Sequence, residues 1–179
     1  VPSKFMKNLV NQINSGKDVT VIPYGMDTDK YRYIPEEKEK TFLIVSRLET
    51  RKRYDIFLRA ISRVETENYN LLEGYKIVIV GDGTEMNQLQ IYAINLKTKV
   101  TFLGWIDNRS AQMRELFEKA AVFVYPSTKD NFPVALMEAM SAGLAVITTK
   151  NTGCEEVVGS SGILVRPGSE EDMYKAIIN

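Results

Sequence analysis

Short apolar segments recur along the chain, and stretches with helical periodicity separate most of them. The segments are rich in β-branched and aromatic residues and are VTVI (19–22), TFLIV (41–45), KIVIV (76–80), KVTFL (99–103), AVFVY (121–125), LAVIT (144–148) and GILV (162–165). Apolar runs without alternating polar positions are typical of strands that are buried on both faces of a parallel sheet. The pattern therefore predicts seven strands.

Between these strands, apolar residues at three- and four-residue spacing predict helices. The predicted helices cover 53–64, 84–95, 110–119, 133–142, which Gly143 terminates, and a last segment from about 170. Strands that alternate with helices imply an α/β fold, a doubly wound parallel sheet with helices on both faces and a Rossmann-like topology. The charged segment YIPEEKEK (33–40) is predicted to be a surface loop.

Composition excludes several kinds of chemistry. The 179 residues suit one domain, and the absence of histidine excludes a Ser-His-Asp or Cys-His nucleophile, a His-ligated zinc and an imidazole base. The 23 Lys and Arg residues balance 23 Asp and Glu residues, which argues against a nucleic-acid partner. Cys154 is the only cysteine, which fits a reducing, cytoplasmic setting. No apolar run reaches the ~20 residues that span a bilayer.

Polar and glycine residues follow most of the predicted strands. They are Ser46–Arg47, Gly81–Asp82–Gly83, Gly104–Trp105, Pro126–Ser127, Thr148–Thr149 and Arg166–Pro167. In an open parallel sheet the carboxyl ends of the strands lie along one edge, where ligands bind near the point at which the strand order reverses. We therefore expect a ligand site at this edge.

The segment GDGTEM (81–86) stands where a phosphate-binding turn would connect a strand to a helix. A dinucleotide fingerprint needs glycine at the position of Met86, and no glycine-rich segment ends in Gly-Lys-Ser or Gly-Lys-Thr, so NAD and P-loop interpretations are weak. The alternative is a tight turn in which the glycines supply positive φ angles.

Four cations follow the strand at 41–45, and they are Arg47, Arg51, Lys52 and Arg53. They suit a phosphate clamp, because Arg forms paired hydrogen bonds with phosphate and Lys acts as a point charge. A solvated basic turn is the alternative, and Glu49 lowers the local charge. In either case we expect Lys52 on an exposed turn.

The helix at 133–142 begins with Pro133 and is apolar on every side except at Glu138, so we expect it to be packed in the interior. A buried carboxylate needs partners, either a buried Arg or Lys or a bound polar ligand. Asp130 lies at the helix entrance, where a capping role is the alternative to a functional one. The free N–H groups of 132–135 would receive an anion.

The chain resembles the C-terminal, donor-binding domain of the retaining glycosyltransferases of family 4, which use nucleotide sugars and have the GT-B fold. The matching segments are VIPYGMD (21–27), SRL (46–48) with Lys52, GDG (81–83), FLGW (102–105), AAVFVYPS (120–127), DNFPVALMEAMSAGLAVITT (130–149), TGCEEVV (152–158) and GILVRP (162–167). In the family motif, seven residues separate two glutamates. In this chain Asp130 stands at the first of these positions and Glu138 at the second. Tyr24 and Arg53 stand where the family commonly has Asn and Gly.

The resemblance implies a role for each candidate residue. Glu138 would accept hydrogen bonds from the ribose diol, and Arg47 and Lys52 would hold the diphosphate. Asp130 would face the donor sugar, so that Asp130, Arg47 and Lys52 are the catalytic candidates. The other candidates would surround the nucleotide sugar, with Trp105 and Ile106 beside the base; they are Gly81, Trp105, Ile106, Asn131, Phe132, Pro133, Val134 and Ala135.

The resemblance also implies the activity, a hexosyltransferase-type transfer from a nucleotide diphosphate sugar to a saccharide or lipid-linked acceptor in polysaccharide or glycoconjugate biosynthesis. We expect no cofactor and no metal, since cations of the protein would stabilise the leaving diphosphate. We expect the full-length enzyme in the cytoplasm or at the inner face of the cell membrane. A sugar-nucleotide epimerase of the same fold and a non-catalytic binding module are the alternatives.

The domain organisation follows from the same resemblance. Residues 1–18 are expected to be a linker or helical lead-in from an N-terminal domain outside this sequence, and residues 19–179 the Rossmann-like nucleotide-sugar-binding domain. Because the N-terminal domain would bind most of the acceptor, we expect this chain alone to be inactive in transfer.

Overall fold

The structure, a computed structural model, describes residues 1–13, 16, 18–31 and 38–179. Its helices are α1 (Lys4–Ile13), α2 (Tyr54–Glu67), α3 (Met86–Ile94), α4 (Ala111–Lys119), α5 (Val134–Ser141), α6 (Gly153–Val158) and α7 (Glu170–Ile178). Its strands are β1 (Glu39–Val45), β2 (Lys76–Val80), β3 (Lys99–Gly104), β4 (Ala120–Tyr125), β5 (Ala145–Thr149) and β6 (Ile163–Val165). Short 3₁₀ turns cover Thr28–Lys30, Thr50–Lys52 and Tyr69–Leu72.

The six strands form one parallel sheet in the order β3-β2-β1-β4-β5-β6. The central strand β1 pairs with β2 on one side and with β4 on the other, and Leu43 lies level with Val78 and Phe123. The strand order reverses between β1 and β4, so the carboxyl ends of these two strands flank the switch point of the sheet. The predicted doubly wound α/β fold is confirmed.

Helices cover both faces of the sheet, and alternate residues of each strand contribute to two separate cores. Phe42 and Ile44 of β1 belong to the core beneath α2, α3 and α7. Leu43, between them, belongs to the core beneath α4, α5 and α6. Because successive side chains of a strand point to opposite faces, burial of both faces explains why the strands lack polar alternation.

The prediction of a strand at 19–22 is wrong. This segment lies outside the sheet, and its recorded backbone contacts are with Val1, whose ammonium donates to the carbonyl of Thr20 and whose carbonyl accepts from the N–H of Ile22, both at 2.9 Å. The side chain of Ile22 is 69% exposed. β-Branched residues favour extended backbone, but a strand also needs a neighbouring strand with which to pair.

The five predicted helices are confirmed as α2, α3, α4, α5 and α7, and Gly143 ends α5 with a φ of 72°. The sequence does not predict α6, which has only six residues and begins where the Thr152 hydroxyl accepts from the N–H of Cys154. Helix α1 lies within the expected lead-in at 1–18, and its Lys4 N–H donates to the carboxylate of Glu156 on α6 at 2.8 Å.

The loop predicted at 33–40 is partly wrong, because 39 and 40 belong to β1. Their side chains are exposed while their backbone continues the sheet. A boundary predicted from polar side chains therefore begins the strand too late. Residues 33–37 lie outside the described residues. In the described part of the chain, no helix combines the length and apolar character that a membrane span requires.

The glycine turn after β2 offers a test of the fold at this edge. Gly81 has a φ of 126°, and a Cβ atom there would lie 1.8 Å from the carbonyl oxygen of Ser46. We expect Gly81→Ala to lower the free energy of unfolding by about 2–4 kcal/mol in urea melts.

Gly159→Ala is the matched control for backbone conformation. Gly159 has a φ of 55° and a ψ of −126°, which favour glycine, but no atom lies within 4 Å of its Cβ position, so this variant should lose only the backbone penalty of about 1–3 kcal/mol, without the clash that Gly81→Ala adds. Equal losses in the two variants would contradict close packing between the turns after β1 and β2.

Candidate functional site

A cleft of about 780 Å³ opens at the carboxyl ends of β1, β2 and β3. Its lining residues come from the segments after these strands and from α4, and they are Val45, Ser46, Arg47, Val80, Gly81, Asp82, Gly83, Thr84, Trp105, Ile106, Asn108 and Met113. The volume lies in the range of about 300–1,000 Å³ that small-molecule sites occupy. The expected ligand edge therefore carries a cleft of suitable size.

Glycines let the turns after β1 and β2 pack against each other beneath this cleft. The N–H of Leu48 donates to the carbonyl of Asp82 at 2.8 Å, and the N–H of Glu85 donates to the carbonyl of Leu48 at 2.9 Å. Gly81 and Gly83 both have positive φ angles, as the interpretation of GDGTEM as a tight turn predicts. The turn therefore forms the floor of the cleft.

Three of the predicted site residues line the open part of the cleft with accessible side chains. Trp105 is 75% exposed, and Ile106 beside it is half-buried. The Arg47 side chain is 72% exposed and forms an ion pair of 2.9 Å with Glu49. Because exposed pairs contribute at most about 1 kcal/mol, Arg47 can exchange this partner for an anion in the cleft.

Lys52 is buried, which corrects the expectation that it lies on an exposed turn. Its ammonium donates to Asp130 Oδ2 at 2.8 Å and forms a short hydrogen bond with the Tyr125 hydroxyl, and it also lies 4.5 Å from the centre of the Tyr125 ring. Burial lowers the pKa of Lys52, although the hydrogen bond to Asp130 opposes this shift, and burial raises the pKa of the Tyr125 hydroxyl.

The basic turn that carries Lys52 ends at a residue with left-handed backbone. The 3₁₀ turn Thr50–Lys52 ends at Arg53, whose φ of 54° lies in the left-handed region that favours glycine. The Arg53 guanidinium forms two hydrogen bonds with the carboxylate of Asp55, at 3.0 and 3.2 Å. This left-handed residue joins the 3₁₀ turn to α2, and Lys52, directly before it, is buried.

Asp130 is an ion-pair partner and does not cap α5. Its Oδ2 accepts from Lys52, and its Oδ1 lies 3.4 Å from Nη1 of Arg51. The residue before α5 is Pro133, and no side chain caps the helix. The carbonyl of Asp130 accepts from the N–H of Gly153 at 2.8 Å, which ties the loop after β4 to α6. The capping alternative is therefore wrong.

The entrance of α5 presents backbone donors close to this ion pair. Among the described residues, the N–H groups of Phe132, Val134 and Ala135 have no recorded acceptor, and Pro133 has no N–H. Such groups at a helix N-terminus favour an anion. Tyr24, which departs from the family pattern, packs edge-on against Phe132 with ring centres 5.9 Å apart.

Helix α5 is less enclosed than the sequence predicts. Leu136 and Ala139 are fully buried, but Val134 is 42% exposed, and Ala135 and Met137 are half-buried. The helix therefore packs one face on the sheet and leaves its first turn open at the carboxyl edge.

Glu138 is buried in α5 and has a lysine partner, so the expectation of a partner for this carboxylate is confirmed. Its Oε1 accepts from Lys30 Nζ at 2.6 Å, from the Tyr31 hydroxyl at 3.2 Å and from Asn108 Nδ2 at 3.2 Å. Lys30 is the last residue of the 3₁₀ turn Thr28–Lys30, and Tyr31 follows it directly. Asn108 also lines the cleft, and it is the contact that links Glu138 to the cleft wall.

Most of the chain matches a known protein family. Residues 39–179 match the family described as glycosyl transferases group 1. The chain belongs to this family. The resemblance stated from the sequence motifs is therefore confirmed.

Curated relatives of this group 1 glycosyl transferase chain are about two to three times as long. The gpi3 subunit of phosphatidylinositol N-acetylglucosaminyltransferase from Schizosaccharomyces pombe is 30% identical over 162 residues, which cover 88% of this chain and 34% of the relative. The UDP-Gal:alpha-D-GlcNAc-diphosphoundecaprenol alpha-1,3-galactosyltransferase of Escherichia coli is 30% identical over 177 residues, which cover 89% and 44%. The chain thus spans less than half of these two relatives.

Solved structures share the fold. A TarM variant from S. aureus, in complex with fondaparinux, alpha-GlcNAc-glycerol and UDP, superposes with a TM-score of 0.82 at 16% identity over 99% of this chain and 35% of that chain. HepE from Anabaena, in complex with UDP-glucose, superposes with a TM-score of 0.77 at 22% identity over 96% and 51%. The two curated relatives are named as an N-acetylglucosaminyltransferase subunit and a galactosyltransferase, and the comparisons favour neither the epimerase nor the non-catalytic alternative.

In the group 1 glycosyl transferase domain, the residues singled out by sequence fall into separate places. Arg47, Gly81, Trp105 and Ile106 line the cleft. Lys52 and Asp130 form the buried ion pair, and Asp130 and Asn131 line a second cavity of about 400 Å³ together with Arg51 and two residues of α1. The sequence gives no sign of Lys30, Tyr31 or Asn108 as partners of Glu138, because residues that meet through tertiary contact share no local spacing.

The Lys52–Asp130 pair generates a stability prediction. Lys52→Met removes the ammonium and leaves a mostly buried carboxylate with one long contact to Arg51, so we expect a loss of about 2–4 kcal/mol in unfolding free energy. Lys76→Met is the control, because Lys76 pairs with Glu39 at 2.6 Å where both side chains are more than 40% exposed. The control should change stability by less than about 1 kcal/mol, and a similarly small change for Lys52→Met would contradict a structural role for the buried pair.

Proposed function

We propose that this chain binds the nucleotide sugar donor of a retaining glycosyltransferase of hexosyltransferase type. The observation that supports this most is the arrangement along one sheet edge: an open cleft, a buried carboxylate beside it, and a helix entrance next to cations. A cleft can hold the base, and a carboxylate can accept hydrogen bonds from the ribose diol. Cations beside a helix entrance can bind the diphosphate.

The arrangement suggests an orientation for the donor. The base would lie beside Trp105 and Ile106, where an exposed aromatic ring borders the cleft. The ribose hydroxyls would reach Glu138 past Asn108, and the diphosphate would extend to Arg47, Gly81 and the N–H groups at the start of α5. The backbone of Asn131 to Ala135 and the carboxylate of Asp130 would then surround the sugar.

The chemical role follows from the charge that develops on the leaving diphosphate. An ammonium has three N–H donors, and Lys52 uses two of them on Asp130 and Tyr125, which leaves one for a phosphate oxygen. Arg47 and the α5 N–H groups add further positive charge, and such preorganised groups stabilise the transition state more than the ground state. Because the protein supplies these charges, we propose that transfer needs neither metal nor cofactor.

Asp130 has a second role in this proposal. Its carboxylate fixes the position of Lys52, and because its Oδ1 has only one contact, of 3.4 Å, this oxygen can also accept from a hydroxyl of the donor sugar. The shorter side chain of aspartate, compared with the glutamate of the family pattern, would place that contact closer to α5.

The acceptor and the cellular setting are also proposals. The names of the S. pombe and E. coli relatives refer to phosphatidylinositol and to a diphosphoundecaprenol carrier, which supports a lipid-linked or saccharide acceptor in glycoconjugate biosynthesis. We propose that an N-terminal domain holds most of this acceptor and that the full-length enzyme works in the cytoplasm at the inner face of a membrane. This chain alone would then bind the donor without transferring sugar.

Thermal shift with UDP, GDP, ADP and their sugars tests donor binding by the 179-residue chain. A ligand at 100 times its Kd stabilises the protein by about 2.7 kcal/mol. We therefore expect a clear rise in Tm with the nucleotides of one of the three bases. Arg47→Ala should weaken that binding by about 1.5–3 kcal/mol with little change in unfolding free energy, because Arg47 is exposed.

Lys76→Met controls for the loss of one positive charge. Lys76 begins β2 and therefore lies at the edge of the sheet opposite the cleft. This variant should leave the nucleotide shift unchanged. The absence of a shift with every nucleoside diphosphate would contradict donor binding, and equal loss of binding in both variants would show that Arg47 contributes only to the overall field.

A further inference from the structure

Three donors from two separate segments meet at one oxygen of Glu138. Lys30, Tyr31 and Asn108 all donate to Oε1, and within the described ranges Oε2 receives no hydrogen bond. A carboxylate oxygen has two lone pairs, so the three donors saturate Oε1. Oε2 is therefore the oxygen that stays available to a hydroxyl group.

Lys30 differs from the other two donors in charge and in distance. It is the charged donor, and its contact of 2.6 Å is the shortest of the three. Desolvation lowers the pKa of Lys30, but the hydrogen bonds to Glu138 and Tyr31 together outweigh it and raise the pKa above the ordinary value. Lys30 therefore stays protonated at neutral pH and compensates the buried carboxylate directly.

The turn that carries Lys30 is attached to the same helix that carries Glu138. The Ser141 hydroxyl, at the end of α5, donates to the carbonyl of Thr28 at 3.1 Å. The Tyr31 ring packs against Phe117 with centres 5.0 Å apart, and the Lys30 ammonium lies 4.9 Å from the centre of the Tyr31 ring. Because Thr28 and Tyr31 attach the segment to α5 and α4, the Lys30 ammonium is held beside the carboxylate of Glu138.

We propose that Lys30 is a positioning residue of the donor site, which holds Oε1 of Glu138 so that Oε2 faces the ribose hydroxyls. This inference rests on the proposed role of Glu138 as the ribose acceptor. Lys30 touches the carboxylate and not the nucleotide, so its effect on binding passes entirely through Glu138. Asn108, which also lines the cleft, assists as a neutral second donor.

A purely structural ion pair makes a different prediction from a positioning residue. A structural pair affects the folded state whatever the ligand is, and its loss would weaken ribose and deoxyribose nucleotides alike. A positioning residue affects only the contact with the ribose hydroxyls. The ratio of affinities for a ribonucleotide and its 2′-deoxy form therefore separates the two roles.

The test uses calorimetry with UDP and 2′-deoxy-UDP on the 179-residue chain, or the matching pair of the base that binds. We expect the wild-type chain to prefer the ribonucleotide by at least about tenfold, the size of one hydrogen bond to a charged group. Lys30→Met should remove most of this preference by weakening the ribonucleotide much more than the 2′-deoxy form, which keeps only the 3′-hydroxyl. Lys30→Arg, which keeps the charge, should retain part of it.

Glu138→Gln provides the background that shows whether Lys30 acts through the carboxylate. In that background Lys30→Met should have no further effect on the preference. If Lys30→Met fails to fold in circular dichroism, Asn108→Ala takes its place, with a smaller loss of preference expected.

Two results would overturn the proposal and can be told apart. A wild-type chain that binds both nucleotides equally overturns the role of Glu138, and the role of Lys30 with it. A wild-type preference that a folded Lys30→Met retains, or that Asn108→Ala retains where Lys30→Met does not fold, overturns the role of Lys30 alone. Lys76→Met, the control for loss of one positive charge, should show the same ratio of affinities as the wild-type chain.

Discussion

The buried ion pair of Lys52 and Asp130 holds together the edge of the sheet on which the site depends. The strand order reverses between β1 and β4, so the loops that follow these strands leave in different directions and need a connection. Lys52 comes from the first loop and Asp130 from the second, and the N–H of Thr128 donates to the carbonyl of Arg51 at 2.9 Å beside them. Breaking this pair would leave the two loops connected through Arg51, by its backbone contact with Thr128 and its side-chain contacts with Lys129 and Asp130.

Both carboxylates of the Asp, seven residues, Glu motif are paired in the same way. Asp130 has Lys52 and Glu138 has Lys30, and each lysine comes from a segment distant in sequence. Burial of a carboxylate is unfavourable unless a cation and hydrogen bonds compensate it, and each lysine provides this compensation without a ligand's help. Each carboxylate also has one oxygen with few or no protein contacts, which leaves it able to accept from a sugar or ribose hydroxyl.

Sequence periodicity predicts the sheet and most helices, because strands buried on both faces leave continuous apolar runs. It fails at 19–22, where the composition of a strand occurs without a neighbour to pair with, and at α6, which is too short to show a period. The motifs single out Arg47, Gly81 and Trp105, which line the cleft, and Glu138, which is buried; their roles stay predictions. The motifs miss Lys30, which lies 108 residues from Glu138, and the burial of Lys52, whose partners Tyr125 and Asp130 are more than 70 residues away. Contacts of this kind are set by tertiary packing and have no local signature.

Mapping of amide NMR shifts during titration with the nucleoside diphosphate that binds tests the account most directly. The account predicts that the largest shifts fall at the carboxyl edge, on Gly81, Ile106, Val134 and Ala135, with smaller changes near Lys30. Shifts confined to the opposite edge, around Glu39 and Lys76 at the amino ends of β1 and β2, would contradict it.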